Sequence, residues 1–308
     1  MITAASFPTP HLALRDPDQE QRVREFAERQ AAMADLTRLR LADGWYRLNR
    51  AQRVDLLHRT YDSLIDEWRY GLAAQAPGRL GAGIPLDAER FRTRIAPDQP
   101  RIDRVGYVGR LRLGARWDES SRTYIRGTST LAHEIMLRYG HSAQARMYAE
   151  GVGDVLVDRV VLPDGREVFG TRLVRGEEAQ RIAASLVARV AARGGDTSEM
   201  ETGGDPVYVV TADEIARTSM LVAALHELAD DDALDPDVAL RAVRSARYLL
   251  VHSPRTYKGS DACIRVLLVA VGSMLLRRQL VLDHDMDLRC LVLGQQAATA
   301  LPADTIVT

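Results

Sequence analysis

His252-Ser-Pro-Arg-Thr-Tyr-Lys-Gly-Ser-Asp-Ala-Cys-Ile-Arg265, running straight into Val266-Leu-Leu-Val-Ala-Val-Gly-Ser-Met-Leu-Leu276, is the stretch on which the fold turns. Its second half is apolar on nearly every face of a helix, which predicts a central, buried helix over about 262–278. The run is too short to cross a bilayer. The half before it is polar and has the chemistry of an anion site. Ser260 and Asp261 are preferred helix N-cap types, and Gly259 can take a left-handed turn. The free N–H groups of a helix start, with the positive end of its dipole, attract negative charge. Lys258 adds a compact ammonium suited to phosphate. It is also the only lysine: 40 of the 41 Lys and Arg residues are arginine. A planar guanidinium does not imitate a small, mobile ammonium.

The preceding helix is expected to end at His252, which places that imidazole within reach of the loop as a general base. The candidate catalytic residues are therefore His252 and Lys258. The candidate phosphate-binding residues are Arg255, Gly259, Ser260, Asp261 and Arg265. The same residues also read, with no ligand at all, as a well-capped buried helix behind a polar loop.

Working outward, Leu288 to about Ala300 reads as a last helix. Asp235-Pro236 opens the helix before the loop and carries Leu240, Val243, Ala246 and Leu250 inward. Thr211-Ala-Asp-Glu214 has the form of a capping box for a helix reaching about Ala229. A short strand, Val207 to Val210, precedes it, and 194–204 reads as a flexible polar linker. Further back, Val105–Leu113, Thr123–Ile125, Val155–Leu162 and Val168–Val174 are rich in β-branched and aromatic residues. The last two flank Pro163-Asp164-Gly165, the signature of a hairpin turn. Helices are expected near Leu131–Tyr139 and Glu177–Ala192. Asp16-Pro17 is a helix start. Residues 51–71 place Leu57, Tyr61, Leu64, Ile65 and Trp68 on one helical face. The proline- and glycine-rich 75–100 marks a boundary or a mobile loop. The expectation is an α+β fold, mostly helical, in three parts. These are an N-terminal helical segment with an irregular linker (1–100), a mixed region with a small antiparallel sheet (101–204), and a helical core (205–308).

With 308 residues, 46% hydrophobic, the chain can bury a sizeable core. Its net charge of −1 argues against a dedicated nucleic-acid binder. Cys263 and Cys290 are the only cysteines and no CxxC occurs, so neither a disulfide scaffold nor a structural zinc is expected. The amino terminus lacks a basic region followed by an apolar run. A cytoplasmic protein with no membrane partner is the expectation. His133, Glu134 and His141 lack the i, i+4 histidine pair of a helical metal site. Asp283-His-Asp-Met-Asp287 reads as a solvated loop, so no metal site is expected.

From Thr211 onward the order of features resembles the core of the Fic/Doc (Fido) family. The family loop runs H-P-F-x-D/E-G-N-G-R-x-x-R, beside His252-S-P-R-T-Y-K-G-S-D-A-C-I-Arg265 here. Leu275 to Ala297, LLRRQLVLDHDMDLRCLVLGQQA, is similar to the family's continuation into its next helix. The resemblance implies a helix ending in the base His252, a loop that cradles a nucleotide's phosphates, and an apolar helix behind it. Gly259 takes the place of the first loop glycine and Arg265 that of the second arginine. Two more residues separate the histidine from the glycine here. Lys258 stands where the family has its magnesium-binding carboxylate, Ser260 for its asparagine, Asp261 for its second glycine and Ala262 for its first arginine. Magnesium is thus left without its usual ligand, although Asp261 offers a carboxylate from the next turn.

By that resemblance the chain is a Fic-like group transferase. It would move a nucleotidyl or phosphoryl group from a nucleotide-type donor to a hydroxyl or amine acceptor, a protein being one such acceptor. Two other readings stand beside it. One is a non-catalytic Fido-like module that binds a ligand or partner through Lys258. The other is a small-molecule biosynthetic enzyme using Lys258 as an amine, its pKa lowered by burial or by Arg255 and Arg265.

Overall fold

Glu20–Ala42 forms α1, which turns the small residues Ala27, Ala31 and Ala34 to one side so that another helix can come close. The computed structural model describes residues 1–8, 20–75, 87–230 and 235–300, with the backbone alone of 305–306. The helix start expected at Asp16-Pro17, and the glycine-rich part of 75–100, lie outside the described residues. Asn49 caps α2 (Arg50–Ser63) in a reciprocal box with Gln52. The helix runs on through a π turn (Leu64–Arg69) into α3 (Tyr70–Gln75). Then come β1 (Ile102–Val105) and a small hairpin, β2 (Arg116–Asp118) with β3 (Thr123–Ile125). Thr130 caps α4 (Leu131–Ala149). β4 (Val155–Val161) and β5 (Glu167–Val174) pair across the Pro163-Asp164-Gly165 turn.

After α5 (Gly176–Ala191) and β6 (Val207–Val210), the helices α6 (Glu214–Leu228), α7 (Pro236–His252) and α8 (Ser260–Leu275) follow. β7 (Leu280–Val281), α9 (Met286–Leu293), α10 (Gln295–Ala300) and β8 (Thr305–Ile306) close the order.

The apolar run is the centre of the molecule. Val266 through Val271 on α8 have no exposed surface. Around them pack the alanines of α1, Leu57 and Tyr61 of α2, Met220 and Leu225 of α6, and Val243 and Ala246 of α7. Each Val, Leu or Met side chain among them taken out of water contributes about 1.5–3 kcal/mol, and each alanine less. The N-terminal helices therefore share one core with the C-terminal ones.

The sheet, in order β1-β6-β5-β4, is antiparallel throughout. Successive side chains alternate faces. Val105, Leu156, Leu173, Val207 and Val209 look toward α4 and α9. Val174, Tyr208 and Val210 look the other way, beneath Ala179 and Ala183 of α5.

Three local expectations are corrected. The 194–204 segment is pinned, not a free linker: Arg104 donates to the carbonyls of Glu201 (2.7 Å) and Gly203 (2.6 Å), while the Glu201 carboxylate accepts from Gly109 N–H and the Thr123 hydroxyl. Asp213, not Thr211, caps α6, accepting from Ala216 N–H at 2.8 Å. The last helix breaks in two at Gly294, whose φ is +79°. Among the described residues no helix is long and apolar enough to cross a membrane.

Candidate functional site

The loop between α7 and α8 is held by residues distant from it in the chain. Arg217 of α6, buried, donates to the carbonyls of Pro254 (3.2 Å) and Ile95 (3.1 Å). Ile95 N–H bonds the Arg255 carbonyl, and Arg94 pairs with Thr256 in an antiparallel bridge. Tyr257 donates its hydroxyl to the Gln99 carbonyl and accepts from Ala96 N–H. Thus 93–99, the described end of the stretch read as boundary or mobile loop, is a second segment of the candidate site.

Gly259 makes the turn into α8 at φ +80°. A Cβ there would lie 2.8 Å from both Arg69 Cγ and Phe91 Cδ1, so the position takes only glycine without rearrangement. No side chain caps α8 from Gly259.

The predicted site residues separate into two groups. His252 ends α7 as expected, but it has no exposed surface. Its Nε2 lies 2.9 Å from the Cys290 carbonyl and so carries the proton; Nδ1 accepts from the Thr171 amide and sits 3.1 Å from the Thr171 hydroxyl. Burial pushes its pKa below the ordinary histidine value, and Asp158 only partly opposes that. An imidazole sealed in this way cannot take an acceptor's proton, so the base role is corrected to that of a neutral pin between β5, α7 and α9. Arg265, 2% exposed, is likewise inward. It pairs with Asp261 (3.1 Å) and Asp287 (3.6 Å) and donates to the carbonyls of Asp283 and His284. Burial works against its charge, but Asp261 and Asp287 outweigh it and raise its pKa. Ser260 is buried and exchanges hydrogen bonds with Thr256. Arg255 turns away to Asp62 on α2.

Lys258 remains, with Gly259 and the half-exposed Asp261. Solvent reaches the Lys258 side chain, and no hydrogen bond or ion pair engages its ammonium among the described residues. Protein packed around it lowers its pKa, first by burial and then through Arg101, Arg90 and Arg110, with Asp103 opposing them. Arg101 pairs with Asp103 at 2.7 Å, and its amide donates to the Thr211 hydroxyl at 3.0 Å. Asp261 and Asp287 also act on Arg101, which ties this group to the first turn of α8. Arg90 feels burial and then Arg193, both lowering its pKa. The arrangement is a patch of cations from the residue before β1, the turns at 88–91 and 109–111, and the α8 entry, with Asp103 of β1 among them. Chemically, it suits an anion of more than one charge.

Arg90, Arg101, Asp103 and Arg110 were not expected from sequence. They stand about 150 residues from Lys258 in the chain, and in an arginine-rich protein one arginine looks like any other. Among the described residues no three His, Cys, Asp or Glu side chains converge so as to hold a metal ion. No protein-family model matches the chain, and no curated protein matches it.

Proposed function

We propose that the protein is a Fido-like module that binds a phosphate-bearing small molecule of nucleotide type at Lys258. One observation carries the reading: the chain's only lysine is unpartnered among the described residues and stands amid Arg90, Arg101 and Arg110. Gathering like charges costs free energy, and a bound polyanion recovers it. The turn at Gly259 adds the uncapped start of α8 to the same face. Group transfer at this face would draw its base from Asp103, which is 41% exposed beside Arg101, because His252 is sealed in the core. The test is thermal unfolding with pyrophosphate, nucleotides and nucleotide sugars, with and without magnesium. A ligand at a hundred times its Kd stabilises by about 2.7 kcal/mol. The shift is expected in the wild type, partly kept in Lys258→Arg and lost in Lys258→Ala. No shift with any phosphate compound retires the reading.

The direction of the Lys258 pKa favours a second reading, in which the amine attacks a carbonyl, forms an imine and releases water. Lys258→Arg separates the two: phosphate binding survives in part, whereas imine formation, trapped by borohydride, stops entirely.

A further inference from the structure

On the face of the sheet turned away from Asp103, a cavity of about 210 Å³ opens between the sheet and α5. Ile102, Val174 and Val210 supply a floor of three neighbouring strands, and Ile182 of α5 closes one wall. Period-two alternation puts Arg172 on this face too, two residues before Val174. Arg189 reaches the same space from the last turn of α5. Neither guanidinium makes an ion pair or hydrogen bond among the described residues. The rim also carries two carboxylates: Glu178 is engaged by Arg181, and Asp98 is exposed on the loop before β1. Counting Arg172, Arg189 and Asp98, with Glu178 neutralised by Arg181, the cavity keeps one positive charge in excess.

We infer that this cavity binds a small monocarboxylic acid with an apolar body, its carboxylate held by Arg172 and Arg189 and its hydrocarbon laid on Ile102, Val174, Ile182 and Val210. Shape and charge lead to that class together. The volume is that of about seven water molecules, enough for a six-carbon acid. A guanidinium fork matches a carboxylate with two parallel hydrogen bonds, while the floor offers nothing to a polar body. The cavity shares no lining residue with the Lys258 patch.

The experiment is a ligand-observed NMR titration of the whole protein with hexanoate, 1-hexanol and hexylamine, each to about 10 mM, the weak end of affinity expected of so small a site. Hexanoate is expected to saturate, with hexanol at least about tenfold weaker and hexylamine silent. Arg172→Gln and Arg189→Gln, both at solvent-reached positions, should each weaken hexanoate about tenfold. Ser185→Trp, which fills the mouth from α5, should abolish binding while leaving any pyrophosphate response of Lys258 untouched. Three results overturn the inference: no saturation by hexanoate, equal binding of hexanol and hexanoate, or hexanoate affinity unchanged in the Arg172→Gln/Arg189→Gln double variant.

Discussion

Two residues that chemistry would pair in one active site, His252 and Lys258, do opposite work six positions apart. His252 is neutral and enclosed, and its folded pKa lies below its unfolded one. The unfolded chain therefore binds more protons than the folded one below about pH 6.5, the ordinary histidine value. Stability from this group is fully present above that pH and is lost as pH falls toward the folded pKa. His133 on α4, its pKa lowered by burial and then by Arg112, adds to the same slope. Each contributes at most about 1.4 kcal/mol per pH unit. Urea unfolding from about pH 5 to 7 should show stability rising with pH, and His252→Gln should be flatter as well as less stable. An unchanged slope in that variant would mean that His252 titrates freely in the folded protein. Lys258 behaves as a group kept at a cost: without ligand, Lys258→Met should stabilise slightly, within about 1 kcal/mol because water screens the patch.

At the level of elements, the α7–α8 connection concentrates the demands on the chain. Gly259→Ala needs a positive φ from an L side chain and meets Arg69 and Phe91 at 2.8 Å, so a loss of about 1–3 kcal/mol is expected in thermal or urea unfolding. Leu267→Ala, in the fully buried middle of α8, should cost about 2–5 kcal/mol. The two differ in their second readout: the alanine at 259 should also blunt any pyrophosphate shift, and the one at 267 should not. What was legible in the sequence at this scale was local. Asp235-Pro236 fixed the start of α7, all-round hydrophobicity identified α8 as central, and Pro163-Asp164-Gly165 marked the β4–β5 turn. What was not legible depended on distant contacts. The helix expected to stop near Tyr139 runs on to Ala149 because Gly140 is no break. A Cβ there would lie 2.2 Å from Gly106 Cα, so the glycine is what lets α4 pack against the end of β1. Thr211, read as a cap, instead accepts from the Arg101 amide and helps hold the candidate site.

For the whole molecule, a net charge of −1 hides a local concentration of positive charge where β1, the 88–91 turn and the α8 entry meet. Folding, not composition, creates that patch. This is why Lys258 and Gly259 could be picked out from sequence while Arg90, Arg101, Asp103 and Arg110 could not. It is also why the base expected at His252 turned out to be core: helical spacing gives a residue's distance along the chain but not which side of the sheet it faces. The single lysine makes the central claim open to one clean observation. Protein grown with 13Cε-labelled lysine gives one lysine Cε cross-peak, that of Lys258, whose position reports both its titration and its contacts. The account predicts that this peak titrates below the ordinary lysine value of about 10.4 and moves saturably as pyrophosphate is added. A peak that titrates at the ordinary value and ignores pyrophosphate would contradict it.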